Sequence, residues 1–171
     1  MTGDRQVTVE TAAGMQALGR RLAGLLRAGD LVILSGSLGA GKTTLVQGIG
    51  AGLGVRGPVT SPTFVIARIH PSLTGGPDLV HADAYRLASP AEVDDLDLDE
   101  AMASSVTVVE WGGGLAEGLA ADRLEITITP PDVTALPGGE IRTVCIAGHG
   151  GRWDAVSDSA FLALSGSPEA L

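Results

Sequence analysis

The chain of 171 residues has one cysteine, one lysine, no asparagine and no long apolar run. A single cysteine excludes an internal disulfide, and because Cys145 stands inside an apolar run, we predict a small buried hydrophobe rather than a nucleophile. A membrane helix needs about 20 consecutive apolar residues, and residues 1–10 are too polar for a secretory signal. We therefore expect a cytoplasmic protein that makes no membrane contact.

Positive charge is also scarce in this chain. There are 11 lysine and arginine residues against 20 aspartate and glutamate residues, which gives a formal net charge of −9. A protein of this sign repels a nucleic-acid backbone, so we expect any contact with RNA to be indirect, through a partner. The apolar content of 44% suits a single domain. We predict that this domain spans residues 1–165 and that residues 166–171 are a disordered end.

The only lysine stands in the stretch GSLGAGKT at residues 36–43, which fits the phosphate-loop pattern G-x-x-x-x-G-K-[ST]. Its glycines let the backbone curl so that successive N–H groups face an anion. Residues 31–34 are an apolar run typical of a buried strand, and residues 44–49 continue at helical spacing. This order of strand, loop and helix predicts a site for a nucleoside triphosphate with Mg²⁺.

Each residue of the predicted site has an expected task. Lys42 reaches the β- and γ-phosphates, and the hydroxyl of Thr43 ligates Mg²⁺. The backbone cradle is completed by Gly39, Ala40, Gly41 and Thr44. Two carboxylates, Asp83 and Glu110, follow strand-like runs, and the carboxyl ends of parallel strands lie beside such a loop in open α/β sheets. Either carboxylate is alternatively a surface group at a strand end.

The remaining patterns alternate short strands with helices. Strands are predicted at 5–10, 31–34, 64–69, 79–85, 106–109, 124–128 and 141–146, and a turn at 74–77 predicts a hairpin between two of them. Helices are predicted at 12–27, from 42, from 89, at 115–121 and at 152–164. The acidic run at 94–100 predicts solvated surface. The histidines share no metal-ligand spacing, and we expect His70 and His149 to be structural or exposed.

Four motifs in this order resemble the TsaE family, the small ATPase of bacterial tRNA threonylcarbamoyladenosine synthesis. They are GxLGAGKTT at 36–44, SPTF at 61–64, HxDxYRL at 81–87 and VEW at 109–111. The resemblance covers residues 5–130, whereas Ser37 stands where the family usually carries an acid, and the region after Pro130 matches no motif. It implies a P-loop NTPase-like three-layer α/β fold with a mostly parallel central sheet and an antiparallel addition.

The resemblance also implies a function. This is Mg²⁺-dependent ATP hydrolysis, slow unless stimulated, which supports a threonylcarbamoyl transferase subunit and its companion in modifying the adenosine next to the anticodon of tRNA. It implies that Thr43 and Glu110 hold Mg²⁺, that Asp83 orients water or acts as a base, and that Thr11 approaches the nucleotide. The implied catalytic residues are Asp83, Lys42 and Glu110, and the implied switch-like or partner-linked residues are Ser61, Thr63, Tyr85, Arg86 and Trp111.

Three other functions compete with this interpretation. A GTPase would need the guanine-reading motif Asn-Lys-x-Asp, which a chain without asparagine cannot contain. A free-standing small-molecule P-loop kinase is the stronger alternative, but it needs a basic lid, and only Arg68 and Arg86 lie near the expected site loops. A non-catalytic nucleotide-dependent module is disfavoured by Lys42, Asp83 and Glu110. For Trp111, a place in the core or rim is as well supported as a functional role.

Overall fold

The computed structural model describes residues 4–37, 39–61, 66–85, 87–94, 98–131 and 141–165. The strands are β1 (Arg5–Val9), β2 (Leu31–Gly36), β3 (Ala67–His70), β4 (Asp78–Asp83), β5 (Ser105–Glu110), β6 (Arg123–Thr129) and β7 (Arg142–His149). The helices are α1 (Ala12–Ala23), α2 (Lys42–Leu53), α3 (Pro90–Asp94), α4 (Asp99–Met102), α5 (Gly151–Asp154) and α6 (Asp158–Leu162), with 3₁₀ turns at Glu117–Leu119 and Ala163–Ser165. Among these residues, no helix has the length and apolar character needed to cross a bilayer.

The described strands form one sheet in the order β1-β7-β6-β2-β5-β4-β3. Its four central strands, β6, β2, β5 and β4, run parallel to one another. Antiparallel strands flank them on both sides, β3 against β4 at one edge and β7 with β1 at the other. The predicted α/β fold with a mostly parallel centre is confirmed, as is the hairpin, which joins β3 to β4.

Apolar residues cover both faces of the parallel centre, which makes three layers. Every residue of β5 is buried, and so are the first four of β2. On one face the core includes side chains from α1 and α2, and on the other it includes side chains from α3, α4 and the turn at Glu117–Leu119. Strands covered on both faces read as continuous apolar runs, which is why residues 31–34 and 106–109 were predictable as buried strands.

Helices α1 and α2 approach each other through glycines. A Cβ on Gly19 would lie only 2.7 Å from the backbone nitrogen of Ile49, and one on Gly48 would overlap the carbonyl oxygen of Gln16. The helices pack with their amino-terminal ends on the same side, because the methyl of Met15 lies 3.3 Å from the position that a Cβ on Gly41 would occupy. This contact places the start of α1 beside the glycine-rich loop that precedes α2.

From β6 outward, where the antiparallel addition begins, the sheet is covered on one face only. In β6 and β7, buried residues alternate with half-buried or exposed ones, as is typical of a sheet with one solvated face. Val144 and Ile146 are buried in the core, whereas Cys145 between them is only half-buried. The prediction of a buried Cys145 was therefore wrong, although its partial burial still raises the pKa of the thiol.

A buried ion pair ties the carboxyl-terminal region to the loop before β2. The guanidinium of Arg152 donates from Nε to Oδ1 of Asp30 at 3.1 Å and from a terminal nitrogen to Oδ2 at 3.0 Å. A further bond from Arg152 reaches the carbonyl of Leu25 at 2.6 Å, and its guanidinium stacks on the fully buried ring of Trp153. The region in which no motif was recognised is thus part of the core.

Three predicted helices differ from those observed. Helix α1 ends at Ala23 rather than at residue 27, because Asp30 accepts a hydrogen bond from the backbone of Arg27 at 2.8 Å and holds that segment in a turn. The helix predicted at 115–121 is a single 3₁₀ turn. The helix predicted at 152–164 is broken because Ser157 caps a new helix, α6, by accepting a bond from Ala160 at 3.2 Å.

Candidate nucleotide and metal site

The predicted phosphate loop joins the end of β2 to the start of α2. Gly39 and Gly41 have φ angles of 78° and 109°, in the left-handed region that glycine adopts without steric cost. Gly41 precedes α2 and has no side chain to cap it, so the first N–H groups of the helix point toward the loop. An N-terminus of this kind favours a phosphate through its N–H groups and its partial positive charge.

Lys42 spans the loop. Its Nζ donates to the carbonyl oxygens of Gly36 at 2.8 Å and Ser37 at 2.9 Å, and the residue is 5% exposed. Burial lowers the pKa of Lys42, while the nearby carboxylates of Glu110 and Asp83 act in the opposite direction. The only lysine of the chain therefore lies where predicted, held by carbonyl groups of the loop itself.

Glu110 connects the loop helix to the sheet. It is the last residue of β5, it is 3% exposed, and its Oε1 accepts a hydrogen bond from Oγ1 of Thr43 at 3.3 Å. Its other oxygen, Oε2, accepts a bond from Nε2 of His81, a fully buried residue of β4. The family resemblance implied that Thr43 and Glu110 act together, but no role was assigned to His81.

Asp83 lies beside Glu110, as the sequence predicted. The two residues are register partners at the carboxyl ends of the parallel strands β4 and β5, and Leu34 of β2 is the partner of Glu110 on its other side. Oδ1 of Asp83 accepts a hydrogen bond from the backbone of Tyr85 at 2.9 Å, which fixes the turn that follows β4. Two carboxylates thus converge on the end of the sheet from which the glycine-rich loop emerges.

Trp111 covers Lys42. The lysine nitrogen lies 4.0 Å from the centroid of the indole, and the ring of Tyr85 lies 5.0 Å from the ring of Trp111. Trp111 has a φ of 59°, a left-handed conformation that costs a residue with a Cβ about 1–2 kcal/mol. Strain of this kind concentrates at functional sites, and here its effect is to place an aromatic ring over the loop lysine.

Two further residues flank the loop. Thr11 caps α1 by accepting a hydrogen bond from the backbone of Gly14 at 2.9 Å, so its predicted contact with a nucleotide stays a prediction. Arg142, the first residue of β7, has its Nε 3.9 Å from the position that a Cβ on Gly41 would occupy. Sequence reasoning missed Arg142, because only the pairing of β7 with β6 brings it to the loop.

The structure describes only some of the predicted switch-like or partner-linked residues. Thr63 and Arg86 lie outside the described residues, and Ser61 is half-buried at the end of the range 39–61. Their roles as switch-like or partner-linked residues stay predictions. Ala40 is fully buried and Thr44 half-buried, while His70 is buried and donates from Nδ1 to the carbonyl of Arg56 at 3.2 Å.

The donors at this site suit Mg²⁺. The hydroxyl of Thr43 and the carboxylate of Glu110 are hard oxygen ligands, and they are already within 3.3 Å of each other. In the described part of the chain, no group of three histidine, cysteine, aspartate or glutamate side chains forms a complete cage for a metal. Mg²⁺ is commonly bound by one or two carboxylates together with substrate phosphates, and the residues present fit that arrangement.

Comparisons with known proteins agree on one family. The family model described as "Threonylcarbamoyl adenosine biosynthesis protein TsaE" matches residues 9–135. A protein of Streptomyces coelicolor described as "tRNA threonylcarbamoyladenosine biosynthesis protein TsaE" is 59% identical over 150 residues, which cover 87% of this chain and 99% of the relative. A protein of Mycobacterium tuberculosis with the same description is 47% identical over 135 residues, covering 75% and 80%. The crystal structure of YdiB from Bacillus subtilis matches with a TM-score of 0.73 and 26% identity, over 96% of each chain.

Proposed function

The chain belongs to the TsaE family, and on that premise we propose that it binds and hydrolyses ATP in the biosynthesis of threonylcarbamoyladenosine in tRNA. Its named relatives are biosynthesis proteins for that nucleoside. The observation that carries the proposal is the convergence of Lys42, Thr43 and Glu110 at the mouth of a glycine-rich loop. Phosphoryl transfer requires groups that bind phosphate and groups that bind a metal ion in one place.

The loop and its helix would bind the phosphates. The N–H groups at the start of α2 face the anion, and Lys42 exchanges its bonds to the carbonyls of Gly36 and Ser37 for bonds to phosphate oxygens. Arg142 adds a positive charge beside Gly41. These residues orient the triphosphate, and orientation together with charge stabilisation accounts for most of the catalysis in this class of reaction.

Thr43 and Glu110 are the residues that would hold Mg²⁺. When bound, the ion neutralises charge that develops on the phosphate oxygens. The task of Glu110 is to keep a carboxylate fixed at the end of β5, where both of its oxygens already have partners. We assign to Asp83, the register partner of Glu110 on the next strand, the task of accepting a proton from the attacking water or of orienting it.

The proposed partners are a threonylcarbamoyl transferase subunit and its companion subunit. The net charge of −9 makes unaided tRNA binding unfavourable, so we expect tRNA to be reached through those partners. Tyr85, whose ring is tilted by 57° against the ring of Trp111, is 66% exposed. Aromatic residues are enriched in protein interfaces. A partner that contacts Tyr85 would act through it on the ring of Trp111, which covers Lys42.

The deciding experiment measures steady-state ATP hydrolysis by the purified protein alone and with both transferase subunits added. We expect slow hydrolysis alone and clear stimulation on mixing, with Lys42→Ala as the inactive control. Fast hydrolysis by the isolated protein, or no stimulation, would contradict a partner-dependent ATPase. Transfer of the γ-phosphate to a small molecule would instead support the alternative of a free-standing P-loop kinase.

A further inference from the structure

We propose that His81 is a positioning residue for the metal site, which holds the carboxylate of Glu110 in the orientation that Mg²⁺ needs. The inference rests on the proposed function, because it assumes that Glu110 and Thr43 bind the ion. It concerns a side chain that would touch neither nucleotide nor metal. The contact that carries it is the hydrogen bond from Nε2 of His81 to Oε2 of Glu110.

The burial of this contact makes it specific. His81 is 0% exposed and Glu110 is 3% exposed, so little water reaches either side chain. A carboxylate in such a place needs protein donors for both oxygens, and here Thr43 serves Oε1 while His81 serves Oε2. Removing the donor at Oε2 leaves one anchored oxygen and allows the carboxylate to rotate away from Thr43.

The chemistry of the imidazole fixes its role. A carboxylate oxygen only accepts hydrogen bonds, so Nε2 of His81 must carry the hydrogen. The other ring nitrogen, Nδ1, is buried and has no hydrogen-bond partner among the described residues. Among the described residues, the bond to Glu110 is therefore the one hydrogen bond that the imidazole of His81 makes, and it explains why β4 carries a histidine at this position. Partners of this kind orient metal ligands and commonly change metal affinity when they are mutated.

A second buried histidine provides a matched control. His70 stands on the neighbouring strand β3 and is 7% exposed, but its Nδ1 bonds to the backbone carbonyl of Arg56 instead of a carboxylate. His70 and His81 lie on the same face of the sheet, because Arg68 and not His70 is the register partner of His81 and alternate residues share a face. Replacing His70 removes a buried imidazole without touching the proposed metal ligands.

The experiment compares His81→Leu with His81→Gln. Calorimetry measures ADP affinity with excess Mg²⁺ and with excess EDTA, and thermal melting measures stability. We expect His81→Leu to reduce the Mg²⁺-dependent part of the affinity by about tenfold to hundredfold, with the affinity in EDTA unchanged. His81→Gln should recover most of the loss, because its side-chain amide can donate from nearly the same place as Nε2.

The control His70→Leu should lower the melting temperature and leave the effect of Mg²⁺ intact. Equal loss of the Mg²⁺ effect in His70→Leu, or no loss in a folded His81→Leu, would overturn the inference. If His81→Leu does not fold, His81→Asn replaces it, because its shorter amide cannot reach Glu110, and the same two outcomes then decide. A wild-type protein that binds neither ADP nor ATP with Mg²⁺ would overturn the proposed function itself, which is a distinguishable result.

Discussion

At the scale of single residues, the site depends on side chains whose partners come from different strands. The spacing of the motif was enough to predict that Lys42 would lie on the loop and that Thr43 would begin the helix. The neighbouring positions of Asp83 and Glu110 followed from the rule that the carboxyl ends of parallel strands meet at one edge. The contacts of His81 and Arg142 could not be predicted, because they depend on the register of β4 and β7.

Lys42→Ala tests the phosphate site most directly. The change removes a charge-assisted contact worth about 1.5–3 kcal/mol, so we expect nucleotide affinity to fall by about tenfold to hundredfold. Calorimetric titration with ATP and Mg²⁺ measures the loss. Arg20→Ala is the control, because it removes a positive charge from an exposed position of α1 and should leave the affinity unchanged. An unchanged dissociation constant for Lys42→Ala would contradict the site.

Substitutions of the two carboxylates should affect different steps, one nucleotide binding and the other turnover. Glu110→Gln removes a proposed metal ligand and should weaken Mg²⁺-dependent nucleotide binding. Asp83→Asn should leave binding nearly intact and reduce turnover, as expected of a group that positions water. Binding by calorimetry and single-turnover hydrolysis distinguish the two. The opposite pattern would exchange their roles, and no effect on turnover from either change would make both structural.

At the scale of elements, the sequence predicted the buried strands better than the helix ends. Strands β2 and β5 are covered on both faces, so their sequences are the continuous apolar runs that are typical of buried strands. The end of α1 and the break before α6 depend on hydrogen bonds of single side chains, those of Asp30 and Ser157. The pattern of apolar residues does not show such bonds, because they depend on the local geometry of the folded chain.

The contact between α1 and α2 should tolerate no side chain at Gly48. Because a Cβ there would overlap the carbonyl oxygen of Gln16, Gly48→Ala forces the helices apart, and overpacking of this kind typically costs about 1–3 kcal/mol. Chemical denaturation measures the change in the free energy of unfolding. Gly118→Ala is the control, since a Cβ at Gly118 would meet no atom within 4 Å. Equal effects of the two substitutions would show that the close approach of the helices adds nothing to stability.

At the scale of the whole molecule, the region after β6 completes the domain. Strand β7 pairs with both β6 and β1, and Trp153 and Phe161 belong to the same core as α1 and α2. No motif covers this region, and its importance was not predictable, because the packing of its side chains and the contacts of Arg142 and Arg152 arise only when the chain is folded. The buried ion pair of Asp30 and Arg152 joins this region to the loop before β2.

Breaking that pair should destabilise the whole chain. Arg152→Met keeps the apolar stem but leaves the carboxylate of Asp30, 5% exposed, without its guanidinium, a change that costs about 3–5 kcal/mol. Thermal and chemical unfolding measure the loss. Arg123→Met is the matched control, because Arg123 pairs with Glu125 at a more exposed position and should cost less than about 1 kcal/mol. A similar loss of unfolding free energy in both variants would mean that the buried pair contributes no more to stability than the more exposed pair.

The place of Trp111 above Lys42 also gives the protein an internal optical signal. The chain has two tryptophans, and Trp153 is fully buried in the core, where a ligand on the loop does not touch it. The indole of Trp111 lies 4.0 Å from a charged nitrogen that a phosphate would draw away. The wavelength and intensity of its fluorescence emission should therefore change when a nucleotide binds, so that occupancy of the site can be followed without any added dye.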